Sequence, residues 1–387
     1  MQFELTETQR TLKNTVRKFL ASECPMAEVR RLMETDTAFD AALWKKMAEQ
    51  GWMGMLIPEQ YGGFGMGMVD MAATLEEMGR ALLPGPFFST VLMAGALIES
   101  AGNEAQKQKY LGAIARGEAR AAVAFTEHPP TPGPEGVHMK AKPAAGGYLL
   151  DGTKLFVADA AVADFIAVIA RVENELAVLV VPRGTPGVTI TPMSSIDFTR
   201  KAYEVRFESA TVPSENMLAS GPAAIAALGR GRAIATAGLV AEMTGGMQRL
   251  LEITVEYAKT RKQFGRPIGQ FQAVQHQCAD MLVYTESSRS AAYYAAYAIQ
   301  ENIPEAKLAV SVAKAYASEA YRETGNRAIQ VHGGMGFTWE NDAHLYYRRA
   351  KVSEQTFGDA AFHREQIAKL VVDPQPARTE QLAATRG

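Results

Sequence analysis

Cysteine is nearly missing. Cys24 and Cys278 are the only two in 387 residues, far apart and in helical surroundings, which excludes a disulfide framework and leaves no zinc-ligand spacing. Both read as small buried hydrophobes. An excess of either charge is missing too: 40 Lys and Arg stand against 42 Asp and Glu, a formal net charge of -2. A nucleic-acid binder needs a concentrated basic surface to displace counterions, and this balance argues against one, although a few local arginines suffice for a small anion. No run of about 18 apolar residues occurs, so no membrane span is expected. The start, Met1-Gln2-Phe3-Glu4-Leu5-Thr6, lacks the basic and apolar regions of a secretory signal. The expectation is a cytoplasmic protein without a metal.

What is present is a globular composition, 47% hydrophobic and 21% charged, at a length that suits two or three folding units. Leu12, Val16, Phe19 and Leu20 recur at helical spacing after a Thr6-Glu7-Thr8-Gln9 start with the form of a capping box. The helical pattern of residues 1–120 is broken by a Gly-rich stretch from Pro58 to Gly67. Past Arg120, short apolar runs such as Phe165-Ile166-Ala167-Val168-Ile169 alternate with turn residues such as Asp151-Gly152, the mark of short strands. Long helical periodicity then returns, as in Val240 to Lys259, Phe271 to Tyr297 and Ala306 to His332. The fold class expected is α+β. It comprises an N-terminal helical domain (1–120), a middle β-sandwich or barrel-like domain (121–221), a C-terminal four-helix bundle (222–373) and a flexible tail (374–387).

Five segments carry more than periodicity: Pro58-Glu59-Gln60-Tyr61-Gly62-Gly63, Phe125-Thr126-Glu127, Lys154-Leu155-Phe156-Val157, Arg261-Lys262-Gln263-Phe264-Gly265, and Gln330-Val331-His332-Gly333-Gly334-Met335-Gly336-Phe337. In this order and at this spacing they resemble the acyl-CoA dehydrogenase family along nearly the whole chain. The resemblance implies FAD as cofactor, an acyl-CoA substrate, α,β-dehydrogenation to the trans-2-enoyl-CoA, and an electron-transfer flavoprotein as acceptor. It also assigns residues. Phe125 and Thr126 match the strand end that bonds the flavin ring, and Phe156 matches the aromatic that covers the ring face. Arg261 and Phe264 match positions that meet the diphosphate and adenine of a neighbouring subunit's FAD. Gln330, Gly333 and Gly334 match the turn that approaches the diphosphate. A guanidinium fork suits a diphosphate, and glycine lets backbone come close.

The family's catalytic base, a glutamate in a Tyr-Glu-Gly-Thr segment, is replaced. An ungapped count from Gly334 lands on Thr356-Phe357-Gly358-Asp359, and Phe357 accepts no proton. Three sources of a base are open: Asp359, two residues on; Glu242, one to two turns beyond the place where some family branches carry theirs; or a second subunit. The stretch from Phe337 through His363 resembles a branch acting on bulky and steroid acyl-CoAs, in which two different subunits often share each flavin site. The resemblance therefore implies a homo-oligomer or a heterotetramer with a paralogous subunit. A chemically inert structural subunit and an oxygen-using relative are the competing readings. The loop Glu127-His128-Pro129-Pro130-Thr131-Pro132-Gly133 departs from the family's Gly-Ser-Asp group, whose Ser touches the diphosphate. His332 and His344 lack a partnering acid or nucleophile and read as structural.

Overall fold

The structure is a computed structural model and describes residues 5–372; the tail assigned to 374–387 lies outside the described residues. The first helix, α1 (Glu7–Glu23), begins with the capping box read from the sequence, Thr6 and Gln9 each accepting the other's backbone N–H. α2 (Met26–Met33), α3 (Ala41–Glu49) and α4 (Met68–Arg80) follow, then a π-helical stretch Phe88–Gly95 running into α5 (Ala96–Ala101), and α6 (Glu104–Ala115). Between α3 and α4 the chain folds tightly on itself. A Cβ on Gly63 would stand 2.0 Å from the Ile57 carbonyl oxygen, so only glycine fits that turn.

The middle region holds eight strands: β1 (Ala121–Ala124), β2 (Lys140–Ala144), β3 (Gly147–Ala158), β4 (Phe165–Val172), β5 (Glu175–Pro182), β6 (Val188–Met193), β7 (Ala202–Pro213) and β8 (Met217–Ser220). They form one sheet in the order β6-β7-β3-β2-β4-β5-β8, with β1 beside β4. Ile166, Val168 and Ala170 of β4 point into an interior shared with Val205 and Phe207 of β7, so the sheet wraps around its own core. Phe165, Ala167 and Ile169 face the other way, onto Leu97, Leu111 and Ile114 of the N-terminal helices. Burial on both faces explains why β4 reads as an unbroken apolar run.

The C-terminal region is built on three long helices, α7 (Gly221–Thr260), α8 (Gln272–Gln300) and α9 (Ala306–His332), with α10 (Ala343–Gln355) and α11 (Ala360–Val371) packed on α9. A small hairpin, β9 (Lys262–Gln263) with β10 (Arg266–Pro267), links α7 to α8. α7 is apolar enough over an 18-residue window to cross a membrane by composition, but here it is the central core helix. Its contact with α4 is backbone on backbone: a Cβ on Gly79 would stand 1.9 Å from the Glu242 carbonyl oxygen, and one on Gly245 1.7 Å from that of Glu76. This crossing fixes Glu242.

Candidate active site and flavin cleft

The strand end Phe125–Thr126 lies directly against β3, where the Leu155 N–H donates to the Thr126 carbonyl at 2.8 Å. β3 shifts register between Lys154 and Val157. Simple alternation would put Phe156 on the same face as Lys154, which is fully buried; the bulge instead turns it outward, 55% exposed at φ +55°. An aromatic held out of the core on a strained backbone suits a flat ligand.

The remaining family-matched residues gather where α7 and α9 end. Tyr257 stacks on His332 with ring centroids 4.4 Å apart, which joins the Arg261 end to the Gln330 end. Arg261 and Gln330 are exposed, and Phe264 is 88% exposed at φ +51°. Gly333 has φ +59° and ψ -141°, a conformation open essentially to glycine alone. Nothing lies within 4 Å of a Cβ built on Gly333 or Gly334, so their backbone is free to be approached. An outward aromatic suits a flat ring, and an exposed arginine beside a bare glycine turn suits an anionic group. His332 is buried, and burial lowers its pKa; its Nδ1 lies 2.7 Å from the Ala328 carbonyl oxygen.

Phe357 sits in the turn between α10 and α11 at φ +62°, followed by Gly358 at φ +101°. Three helices hold this turn through its carbonyls. Arg232 of α7 donates to the Phe357 oxygen at 2.6 Å, and Lys314 of α9 donates to the oxygens of Gly358 at 2.9 Å and Glu354 at 3.0 Å and to Ser318 Oγ at 2.8 Å. His363 of α11 places Nε2 3.2 Å from the Phe357 oxygen. Burial, with Lys314 and Arg232 nearby, lowers His363 to about 4, so it is neutral at pH 7 and donates through Nε2. Burial lowers Lys314 to about 7. The Phe357 ring stacks on Phe88, centroids 6.3 Å apart, and Arg200 lies over Phe88 at 5.0 Å.

A cavity beside Phe88 is lined by Leu75, Met78, Leu83, Phe87, Arg200 and Glu242. Glu242 is buried at its charged end with both oxygens engaged: Arg200 donates at 2.8 Å and Arg349 at 2.6 Å. Arg349 also reaches Asp197 and Thr199, each at 2.5 Å. Burial alone would raise the Glu242 carboxyl, but Arg200 and Arg349 outweigh it and hold the group below its usual range. Asp359 caps α11, accepting the Phe362 N–H at 2.9 Å. The sequence reading named Phe357, Glu242 and Asp359, and quoted His363 within a resembling stretch without giving it a role, but missed Arg232, Lys314 and Phe88, whose lone positions carry no motif.

Models of the acyl-CoA dehydrogenase N-terminal, middle and C-terminal domains match residues 6–118, 122–210 and 222–372. The chain belongs to the acyl-CoA dehydrogenase family. Acyl-CoA dehydrogenase IpdE2 of Mycobacterium tuberculosis is 33% identical over 351 residues, covering 90% of this chain and 92% of that protein. The structure of the ChsE4-ChsE5 complex from Mycobacterium tuberculosis matches with TM-score 0.88 and 28% identity, over 97% of this chain and 100% of its own. The FAD complex of PigA matches with TM-score 0.89 and 25% identity, over 96% and 99%. This chain is thus a flavoprotein oxidoreductase acting on CH–CH bonds, with FAD as its cofactor.

Proposed function

We propose that this chain is one subunit of a heteromeric acyl-CoA dehydrogenase whose partner supplies the proton-abstracting carboxylate. The observation that carries the reading is the state of the carboxylates around Phe357: Glu242 has both oxygens on arginines, and Asp359 has one on the start of α11. A general base needs a free carboxylate oxygen, and the hydrogen bonds already made occupy both oxygens of Glu242 and one of Asp359. In the reaction, the α-carbon proton passes to the partner's carboxylate, the β-hydrogen leaves with its electron pair, and a trans double bond forms. Bound FAD would supply the hydride acceptor, with an electron-transfer flavoprotein as the onward acceptor of its electrons. Phe125, Thr126 and Phe156 would orient the ring, Gln330, Gly333 and Gly334 would approach the diphosphate, and Arg261 and Phe264 would meet the diphosphate and adenine of a neighbouring subunit's FAD. Asp359 and Glu242 are the fallback bases within this chain.

The likeness to one chain of the ChsE4-ChsE5 complex supports a heteromeric assembly such as a heterotetramer, and the resemblance to the branch acting on bulky and steroid acyl-CoAs supports such substrates. Titrating the FAD-loaded chain with CoA thioesters, from butyryl-CoA to a steroid side-chain CoA, is expected to leave the flavin absorbance intact. Addition of a paralogous subunit with glutamate at the matching position is expected to produce bleaching, lost when that glutamate becomes glutamine. Bleaching by the wild-type chain alone would overturn the proposal, and Asp359→Asn or Glu242→Gln would then locate the base.

A further inference from the structure

Lys154 is fully buried, and its Nζ donates to Glu127 Oε1 at 2.6 Å and to the Phe125 carbonyl at 3.2 Å. Glu127 in turn accepts the backbone N–H of His138 at 2.9 Å and of Met139 at 3.0 Å. A buried ion pair is rarely kept for stability, since an apolar pair of similar volume is often as stable. What an apolar pair could not do is bind these backbone groups. The contacts bracket the two residues matched to the flavin ring. Thr126 lies between Phe125, which Lys154 holds by its carbonyl, and Glu127 itself. Phe156 lies just past Lys154, inside the bulge that turns it outward. With Lys154 anchored before the bulge, the outward turn of the next residues has a fixed starting point. On the other side, Glu127 ties the loop 128–137, which replaces the family's Ser-bearing loop, to the same strand end.

We infer that Glu127 and Lys154 are positioning residues for the flavin ring, acting through Thr126 and Phe156. The inference rests on the assignment of Thr126 and Phe156 to the FAD site. Burial and Glu127 act oppositely on Lys154, leaving it lowered to about 8; Glu127, raised by burial, is held below its usual range chiefly by Lys154.

The test is the double variant Glu127→Leu with Lys154→Met, which removes both charges and so strands neither, compared with wild type as the full chain. FAD affinity is read by quenching of flavin fluorescence, the bound flavin's visible spectrum at saturating FAD, and folding by thermal melting of the apoprotein. The expected result is a folded protein, its melting temperature lowered by loss of the bonds to Phe125, His138 and Met139, with FAD affinity down by roughly tenfold or more, the scale of lost charge-assisted hydrogen bonds. The bound spectrum should also lose vibronic structure, and Lys154→Arg should recover part of both. Unchanged affinity and spectrum in a folded double variant would overturn the inference. Should the double variant not fold, Lys154→Arg is decisive: an altered bound spectrum is the expected result and an unaltered one overturns it. Wild-type protein that takes up no FAD would instead remove the site assignment beneath the inference, a failure visible before any variant is made.

Discussion

Two buried cationic clusters lie close to the Phe88 ring, and they are neutralised in opposite ways. In the first, Arg349 and Arg200 meet the carboxylates of Glu242 and Asp197, tying the loop between β6 and β7 to α7 and α10. In the second, Arg232, Lys314 and His363 converge on the turn at Phe357, and among the described residues neither Arg232 nor Lys314 forms an ion pair. Their partners are carbonyl oxygens, with the Ser318 hydroxyl a further acceptor for Lys314. The first cluster is a charge-matched knot between domains; the second is a backbone clamp around the turn at Phe357. The difference teaches that the turn geometry is held by main-chain contacts, which persist whatever side chain stands at 357.

Breaking the knot should cost most. Arg349→Met leaves Glu242 and Asp197 buried without that counter-charge, and single removal of a buried partner costs roughly 3–5 kcal/mol. Lys314→Met strands no carboxylate and removes one donor from three acceptors, a loss of about 1–3 kcal/mol. Urea denaturation at pH 7 should rank Arg349→Met well below Lys314→Met. The reverse ranking would mean that the clamp, and not the knot, carries the fold.

The same pair of clusters differs in pH response. Lys314 is lowered from 10.5 to about 7, chiefly by burial, so between those values the unfolded chain binds the proton that the folded chain has released. Stability from this group therefore rises with pH across that window and is flat on either side. Glu354 and Asp359 act against the lowering, and Arg232 adds to it. Lys314→Met should flatten the wild-type rise in urea midpoint between pH 7 and 9, whereas Arg349→Met should leave that slope in place. An unchanged slope in Lys314→Met would show that the buried amine keeps its ordinary affinity for protons.

Much of this was legible beforehand, and unevenly. Periodicity carries the helices because an apolar stripe repeats every turn, as at Val16 and Leu20, and β4 reads as a strand because both its faces are buried. Glu127 and Lys154 stand inside quoted motifs, yet only the fold brings residues 27 apart to 2.6 Å. Arg232, Lys314 and His363 come from three helices, and a side chain that bonds a carbonyl leaves no complementary partner to find in the sequence. The outward turn of Phe156 was hidden for another reason, since a bulge breaks the period-2 rule by which a strand is read.

The finest comparison isolates side chain from backbone at position 357 itself. If the clamp alone sets the turn, the Phe357 ring contributes through its contact with Phe88, a stack at 6.3 Å with 28° between the planes. Aromatic pairs of this kind contribute about 0.5–1.5 kcal/mol beyond the area they bury. A double-mutant cycle of Phe88→Leu and Phe357→Leu, read by urea midpoints, should return a coupling in that range. Leucine keeps each site apolar, and the carbonyl bonds from Arg232 and His363 stay available in every corner of the cycle. A coupling near zero would mean that the two rings are neighbours without mutual support.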